Sequence, residues 1–145
     1  MIFAFVVKRL RWLARVPSFP QLFDAMLLIC TGLFHRERLE AMEEFEQAAL
    51  ALPRVETRPH RFGGVGFFVE RHELCHLHGN GLFDAFVGRA NREELVNTGR
   101  ALGHHVFPAS GWVSFWIETH AEVARALDLM RVAQSYQLQS QSRVT

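Results

Sequence analysis

The spacing of apolar residues changes near residue 53 of the chain. Before that point, apolar residues recur every three to four positions, the period of an amphipathic helix, in three segments: 2–16, 20–33 and 37–50. After it, Gly, Asn or charged pairs separate short apolar or alternating runs, as in successive antiparallel strands, at 55–57, 64–70, 73–78 and 82–87. The contrast predicts an N-terminal helical region followed by a sheet.

The last part of the chain returns to helical spacing around one further strand. Two segments with this spacing, 91–102 and 119–136, each open with a capping-box pair, the first at Asn91 and the second at Thr119. Alternation of apolar and other residues over 112–117 predicts the strand between these two helices.

These elements predict one α+β domain. It contains an antiparallel sheet of about four or five strands, with the C-terminal helices packed on it. The expected organisation is an N-terminal helical region at 1–52, the α+β domain at 53–138 and a frayed tail at 139–145. A chain of 145 residues is long enough for one substantial core.

Residues 2–16 form a cationic segment, because Lys8, Arg9, Arg11 and Arg15 lie among its apolar residues and no acid accompanies them. These charges follow and interrupt the apolar run instead of preceding it, which argues against a cleaved secretory signal. The pattern fits a helix that docks on an anionic membrane surface or a protein partner. The pattern fits a helix packed on the domain with its arginines in solvent better than a membrane-surface helix.

Composition narrows the expected partners and location. A net charge of +1 provides no general attraction for a polyanion, so we expect no nucleic-acid partner. Cys30 and Cys75 form no CxxC pair, which is typical of a reducing compartment. The apolar run 22–34 contains Asp24 and is too short to span a bilayer, so we expect a buried helix there. The protein is therefore expected to be cytoplasmic, either free or peripheral to the membrane.

The segment ELCHLHGNG is the best candidate site in the chain. Alternate side chains of a strand share a face, so His76 and His78 are predicted to point the same way as Leu74. Cys75 and Leu77 should point to the other face, which makes Cys75 a small buried hydrophobe and not a nucleophile.

Two imidazoles about 7 Å apart on one strand can converge on a metal ion. The predicted ligands are His76, His78 and His105, with His104 or Asp84 as substitutes for His105. Imidazole suits zinc, iron, copper and nickel, so a transition metal such as zinc would fit, but the ligand set does not choose among these metals. The competing interpretation is structural, with each histidine half-buried and hydrogen-bonded through one ring nitrogen.

The last predicted strand carries a second unusual face, where Trp112, Ser114 and Trp116 alternate with apolar residues. Beside the histidine face it would form an aromatic pocket with a few polar groups, the usual composition of a small-ligand site. Asp84 could then orient a histidine from behind. The alternative is that the N-terminal helices cover this face.

Four motifs resemble the small bacterial proteins called the luciferase family or luciferase domain: RFGG at 61–64, HLHGNG at 76–81, HHVFP at 104–108 and SGWVSFWI at 110–117. The resemblance extends over about residues 60–136 and implies no assigned activity, cofactor or catalytic residue. The chain does not resemble the flavin-dependent barrel luciferases, because such barrels need roughly 250 residues and βα repetition. No flavin site is evident, and we do not expect light emission.

Two functions remain open from the sequence. The first is binding of a small ligand or metal at the histidine face; if the protein is an enzyme, a neutral histidine could act there as a general base. The second is a non-catalytic interaction module that docks through residues 1–16 and whose histidines are structural.

Overall fold

A computed structural model describes residues 18–142, so the predicted helix at 2–16 and the last residues, 143–145, lie outside the described part. The described chain folds in the following order: α1 (Phe19–Phe34), α2 (Arg36–Leu50), β1 (Val55–Pro59), β2 (Val65–Val69), β3 (His72–Leu77), β4 (Leu82–Phe86), α3 (Arg89–Asn97), β5 (Leu102–Gly103), β6 (Trp112–Trp116), a 3₁₀ turn (His120–Glu122) and α4 (Val123–Ser142).

The predicted α+β class is confirmed: in the part of the chain that the structure describes, one antiparallel sheet is preceded in sequence by α1 and α2 and followed by α4. The strand order is β1-β2-β3-β4-β6-β5, and all neighbouring strands run antiparallel. The sheet has six strands in the described chain, one more than the upper expected number. The extra strand is β5, which lies where the end of a helix was predicted. The helix α3 ends earlier, at Asn97, and Gly99 with φ 68° reverses the chain after it.

One face of the sheet forms the hydrophobic core with α2 and α4. The Phe45 ring from α2 stands edge-on to Phe67 at 5.5 Å and to Phe83 at 5.0 Å between ring centroids. From α4, Met130 is fully buried in the same cluster. Edge-to-face rings of this kind combine burial of large apolar areas with favourable quadrupole contacts. The opposite face of the sheet is therefore free to carry polar groups.

The helix α1 is oriented in the opposite way to the prediction of a buried apolar helix. Its buried residues are Pro20, Asp24 and Thr31, while its larger apolar side chains are largely exposed. The polar side chains turn inward because they bond the sheet: the Thr31 hydroxyl donates to the Gly79 carbonyl at 2.7 Å. The predicted position of the helix is correct, but the prediction that its apolar face is buried is wrong.

A β-bulge corrects the predicted face of β3. The register between β2 and β3 shifts between Phe67 and Phe68, so that an extra residue, Leu74, stands between the pairs formed by Glu73 and Cys75. The bulge allows Leu74 to join the core at 1% exposure, together with Cys75. The prediction that Leu74 shares a face with His76 is therefore wrong.

The ends of the later helices also differ from the predictions. The capping box of Thr119 with Glu122 is present, but it opens a 3₁₀ turn before α4. Asn91 does not cap α3: the helix begins at Arg89, and the Asn91 side chain donates to the Val87 carbonyl. The helix α4 continues to Ser142, beyond its predicted end. None of the helices within residues 18–142 is long and apolar enough to cross a membrane.

Candidate functional site

A row of polar residues crosses the face of the sheet that points away from the core. Asp84 on β4 is paired with His76 on β3 and with Ser114 on β6. Directly paired residues of antiparallel strands point to the same face, so these three side chains form one continuous row. His104 follows β5, the edge strand beside β6. His78 follows β3, and its N–H donates to the Leu82 carbonyl at 2.9 Å.

Asp84 is the centre of this cluster and is completely buried. The Ser114 hydroxyl donates a short hydrogen bond to its Oδ1. Its Oδ2 lies 3.3 Å from Nε2 of His76, 3.7 Å from Nε2 of His104 and 3.9 Å from Nε2 of His78. Among the described residues none of these contacts has the alignment of a hydrogen bond to Oδ2. Three imidazole nitrogens thus surround one carboxylate oxygen without satisfying it.

His76 is held between two carboxylates. Its Nδ1 lies 2.8 Å from Oε1 of Glu73, so Nδ1–H donates to Glu73 and Nε2 faces Asp84. Burial disfavours the charged ring, but Asp84 and Glu73 together outweigh burial and raise the pKa of His76 to about 9. Burial likewise opposes ionisation of Asp84, yet contact with His76 holds its pKa at about 2. Without a metal, His76 is therefore a buried imidazolium at neutral pH.

His78 is oriented by Asp24 on α1. The Asp24 Oδ1 lies 3.3 Å from Nδ1 of His78 and also accepts the backbone N–H of Gly79 at 3.0 Å. A carboxylate on Nδ1 favours a proton on that nitrogen, and Nε2 lies on the side of Asp84. His76 and His78 thus share one arrangement, with Nδ1 on a carboxylate and Nε2 toward the centre.

His104 has the opposite arrangement. Its Nδ1 accepts two backbone N–H groups, from Val106 at 3.1 Å and Phe107 at 3.0 Å. The neutral ring must then carry its proton on Nε2, the nitrogen that faces Asp84. Burial, only partly offset by Asp84, lowers the pKa of His104 to about 4 and keeps the ring neutral. A protonated Nε2 has no lone pair for a metal.

His60, which follows β1, covers the cluster from outside. Its ring stacks on His76 with 3.8 Å between centroids and 9° between planes, and its Nε2 lies 3.3 Å from Glu73. Burial and the neighbouring His76 lower the pKa of His60 to about 4. The turn after His60 needs Gly64, because φ is +85° there and a Cβ would lie 2.3 Å from the Leu77 carbonyl oxygen.

The tryptophans predicted as pocket walls are placed differently from each other. The Trp112 ring lies 5.2 Å from His76 and 6.1 Å from His104 between ring centroids, so it borders the cluster. Trp116 is paired with Leu82 and lines a separate surface cavity of about 220 Å³ with residues of the 99–102 segment. The structure therefore brings Trp112 to the histidines and places Trp116 beside another cavity.

Within residues 18–142, three groups of side chains hold their ligating atoms within 4.8 Å of one another: His76 with His78 and Asp84, Asp84 with His104 and His105, and His60 with Glu73 and His76. The second group is disfavoured by the proton on Nε2 of His104. The third is disfavoured because Nδ1 of His76 already donates to Glu73. The first group offers the Nε2 atoms of two imidazoles and a carboxylate oxygen, a set that suits a divalent transition metal.

His105 and Cys75 stand apart from this set. The His105 ring stacks on His104 with 4.7 Å between centroids, so its ligating atom belongs with the second group. Cys75 is fully buried on the core face, and burial raises its pKa well above the usual value. A protonated thiol on the other side of the sheet is not a ligand here.

Three residues around the cluster are not predicted by the sequence reasoning: Asp24, His60 and Glu73. The bulge in β3 allows Glu73 to contact His76, whereas regular alternation places it on the opposite face. His60 reaches the cluster only through the turn after β1. Asp24 had a visible signal, since it is the single charged residue in an apolar run, and a charge retained there favours a buried polar contact.

Comparison with known protein families finds a match to the central and C-terminal part of the chain. The family model of the Luciferase domain matches residues 71–133, which confirms the resemblance predicted from the sequence. His76, His78, Asp84 and His104 lie inside this segment, whereas Asp24 precedes it. Neither the curated proteins nor the solved structures include a significant match to the chain. Over residues 71–133 the chain is therefore similar to the Luciferase domain family.

Proposed function

We propose that this domain binds one divalent transition-metal ion through Nε2 of His76, Nε2 of His78 and Oδ2 of Asp84. The observation that carries the proposal is the buried Oδ2, which faces these nitrogens without an aligned hydrogen bond among the described residues. Two imidazoles and one carboxylate leave coordination positions open, as in mononuclear iron(II) and catalytic zinc sites.

The separations between the proposed ligand atoms suit a shared ion. Metal–ligand distances of about 2.0–2.1 Å place tetrahedral ligands about 3.4 Å apart. The Oδ2 of Asp84 lies 3.3 Å from Nε2 of His76 and 3.9 Å from Nε2 of His78. All three ligand atoms lie within 4.8 Å of one another, and Nε2 of His78 would need to move about 0.5 Å closer to Oδ2 to reach the tetrahedral separation.

The surroundings of the two histidines support the same assignment. Histidines that bind metals commonly donate their other ring N–H to a carboxylate, which fixes the tautomer and makes the free nitrogen a better ligand. Glu73 does this for His76, and Asp24 does it for His78. A purely structural role would not require Nε2 of both rings to face one carboxylate oxygen.

Buried charge also favours a divalent cation. The carboxylates of Asp24, Glu73 and Asp84 contribute three negative charges to the cluster. One proton on His76 leaves a net charge of −2, and one divalent ion in place of that proton leaves −1. Since uncompensated buried charge is costly, the ion should displace the proton.

The test is the metal content of protein purified without a His tag. We expect about one equivalent of zinc or iron per chain by elemental analysis, or one equivalent of cobalt(II) bound after chelation and dialysis. His76→Gln and Asp84→Asn should each lower the bound metal at least tenfold, since ligand loss removes a large share of the binding free energy.

The matched control is His72→Gln, because His72 lies on the same strand but is exposed and outside all three groups. Circular dichroism and thermal unfolding would establish that each variant is folded. Metal-free wild-type protein that also takes up no cobalt(II) would refute the proposal. Loss of metal from His72→Gln to the same extent as from His76→Gln would refute the assignment of ligands.

A further inference from the structure

The helix α1 buries polar side chains and exposes apolar ones, the reverse of an ordinary amphipathic helix. Its only charged residue, Asp24, is buried, and its exposed side carries a stripe of large apolar residues that we call the outward stripe: Leu22, Met26, Ile29 and Leu33. These side chains are 70%, 51%, 63% and 71% exposed. Their spacing of four, three and four residues places them along one side of the helix, over about 16 Å.

Polar contacts hold the helix in this orientation. Asp24 bonds to His78 and to the Gly79 N–H, and the Thr31 hydroxyl bonds to the Gly79 carbonyl. Gly79 also allows the helix to approach closely, because a Cβ there would lie 2.6 Å from the Asp24 carbonyl oxygen and from the Leu28 nitrogen. Rotating α1 to bury the outward stripe would break all of these contacts.

We propose that the outward stripe is a docking surface for an anionic lipid bilayer. An exposed apolar stripe of this extent on a domain of this size indicates an interaction site. No charged side chain interrupts the exposed side of α1, which suits insertion among acyl chains.

The charge of the flanking sequence selects lipid over a neutral apolar partner. Residues 1–16, which precede α1 in the sequence, carry Lys8, Arg9, Arg11 and Arg15 and no acid. Arg36 follows the helix; its side chain is 87% exposed, and its Nε lies 2.8 Å from Oε1 of Glu40. Basic residues at both ends of an apolar stripe can reach phosphate headgroups while the stripe enters the bilayer. Because α1 and the other described helices do not span a membrane, the contact would be peripheral.

The test is flotation of the full chain with vesicles of phosphatidylcholine alone or with 30% phosphatidylserine, a composition of about the charge of a cytoplasmic leaflet. We expect flotation with the anionic vesicles, weakened by 0.5 M salt through roughly twofold stronger screening. The double variant Leu22→Gln/Ile29→Gln should reduce partitioning at least tenfold, since each inserted side chain contributes about tenfold.

The matched control is Leu102→Gln/Leu138→Gln, which removes two leucines that are 56% and 44% exposed elsewhere. It should float as the wild type does. Absence of flotation with anionic vesicles would overturn the proposal. So would a wild-type dimer in light scattering that the Leu22→Gln/Ile29→Gln variant abolishes, because a second copy would then cover the stripe. A large fall in melting temperature for that variant would show that the chain itself covers the stripe, with the same consequence.

Discussion

Metal-free protein should lose stability as the pH rises from 6.5 to 8.5, because the proton on His76 stabilises the folded state. Asp84 and Glu73, working against burial, raise the pKa of His76 to about 9 from the ordinary 6.5. A raised histidine pKa contributes stability that is complete below the unfolded pKa and is lost as the pH rises through the folded one. Within this window the folded chain holds one more proton than the unfolded chain.

The expected size follows from the pKa difference. Each pH unit between the two pKa values changes the free energy of unfolding by about 1.4 kcal/mol, so the loss from pH 6.5 to 8.5 is about 2–3 kcal/mol. Above that range the buried Cys75 thiol, whose pKa is also raised, adds a change of the same sign. Below pH 6.5 the trend reverses, because the pKa values of His60 and His104 are lowered to about 4, so between pH 6.5 and 4 the unfolded chain binds protons that these two folded rings do not.

The assay is urea unfolding at several pH values in the presence of a chelator, repeated with saturating zinc. At the proposed site zinc would take the place of the Nε2 proton of His76, so stability in saturating zinc should not fall between pH 6.5 and 8.5. His76→Gln should remove the slope from the metal-free protein, and His72→Gln should keep it. A metal-free wild type whose stability is flat or rises over this window would refute the placement of the proton.

Two further substitutions test the fold around the site. Gly79→Ala should lower the free energy of unfolding by about 2 kcal/mol and the melting temperature by several degrees, because its Cβ would collide with the backbone of α1 at 2.6 Å. Gly103→Ala is the control, since its Cβ would meet only a guanidinium nitrogen at 3.5 Å, and equal destabilisation of both variants would contradict the close approach. Thr119→Ala should cost about 1 kcal/mol in urea unfolding through loss of the capping box, whereas an unchanged midpoint would show that the box adds nothing.

Hydrophobic periodicity predicted the positions of most helices and strands, because burial of their apolar faces in the core determines where most of them form. The helices α1, α2 and α4 and the strands β1 to β4 and β6 lie close to their predicted positions. The strand β5 was missed because Leu102 and Gly103 join the sheet only through backbone pairing with β6, which leaves no side-chain pattern. The orientation of α1 was wrong because polar contacts with the 79–81 turn override its apolar composition.

The candidate site was only partly predictable, because local irregularities of the backbone complete it. Alternation on β3 correctly placed His76 and His78 on one side of the strand, and pairing brought Asp84 and Ser114 beside them. Single-residue irregularities decide the rest. The bulge in β3 allows Glu73 to reach His76, and backbone donors in the turn after His104 fix its tautomer. Neither feature has a periodic signature that sequence reasoning can detect.

The most direct measurement of the central claim is X-ray absorption at the metal edge of the loaded, untagged protein. We expect two imidazole nitrogens at about 2.0–2.1 Å and oxygen ligands at about 2.0–2.2 Å, with one imidazole lost in His76→Gln and none lost in His104→Gln. A spectrum with three imidazoles, or one that loses an imidazole in His104→Gln, would contradict the ligand set of His76, His78 and Asp84.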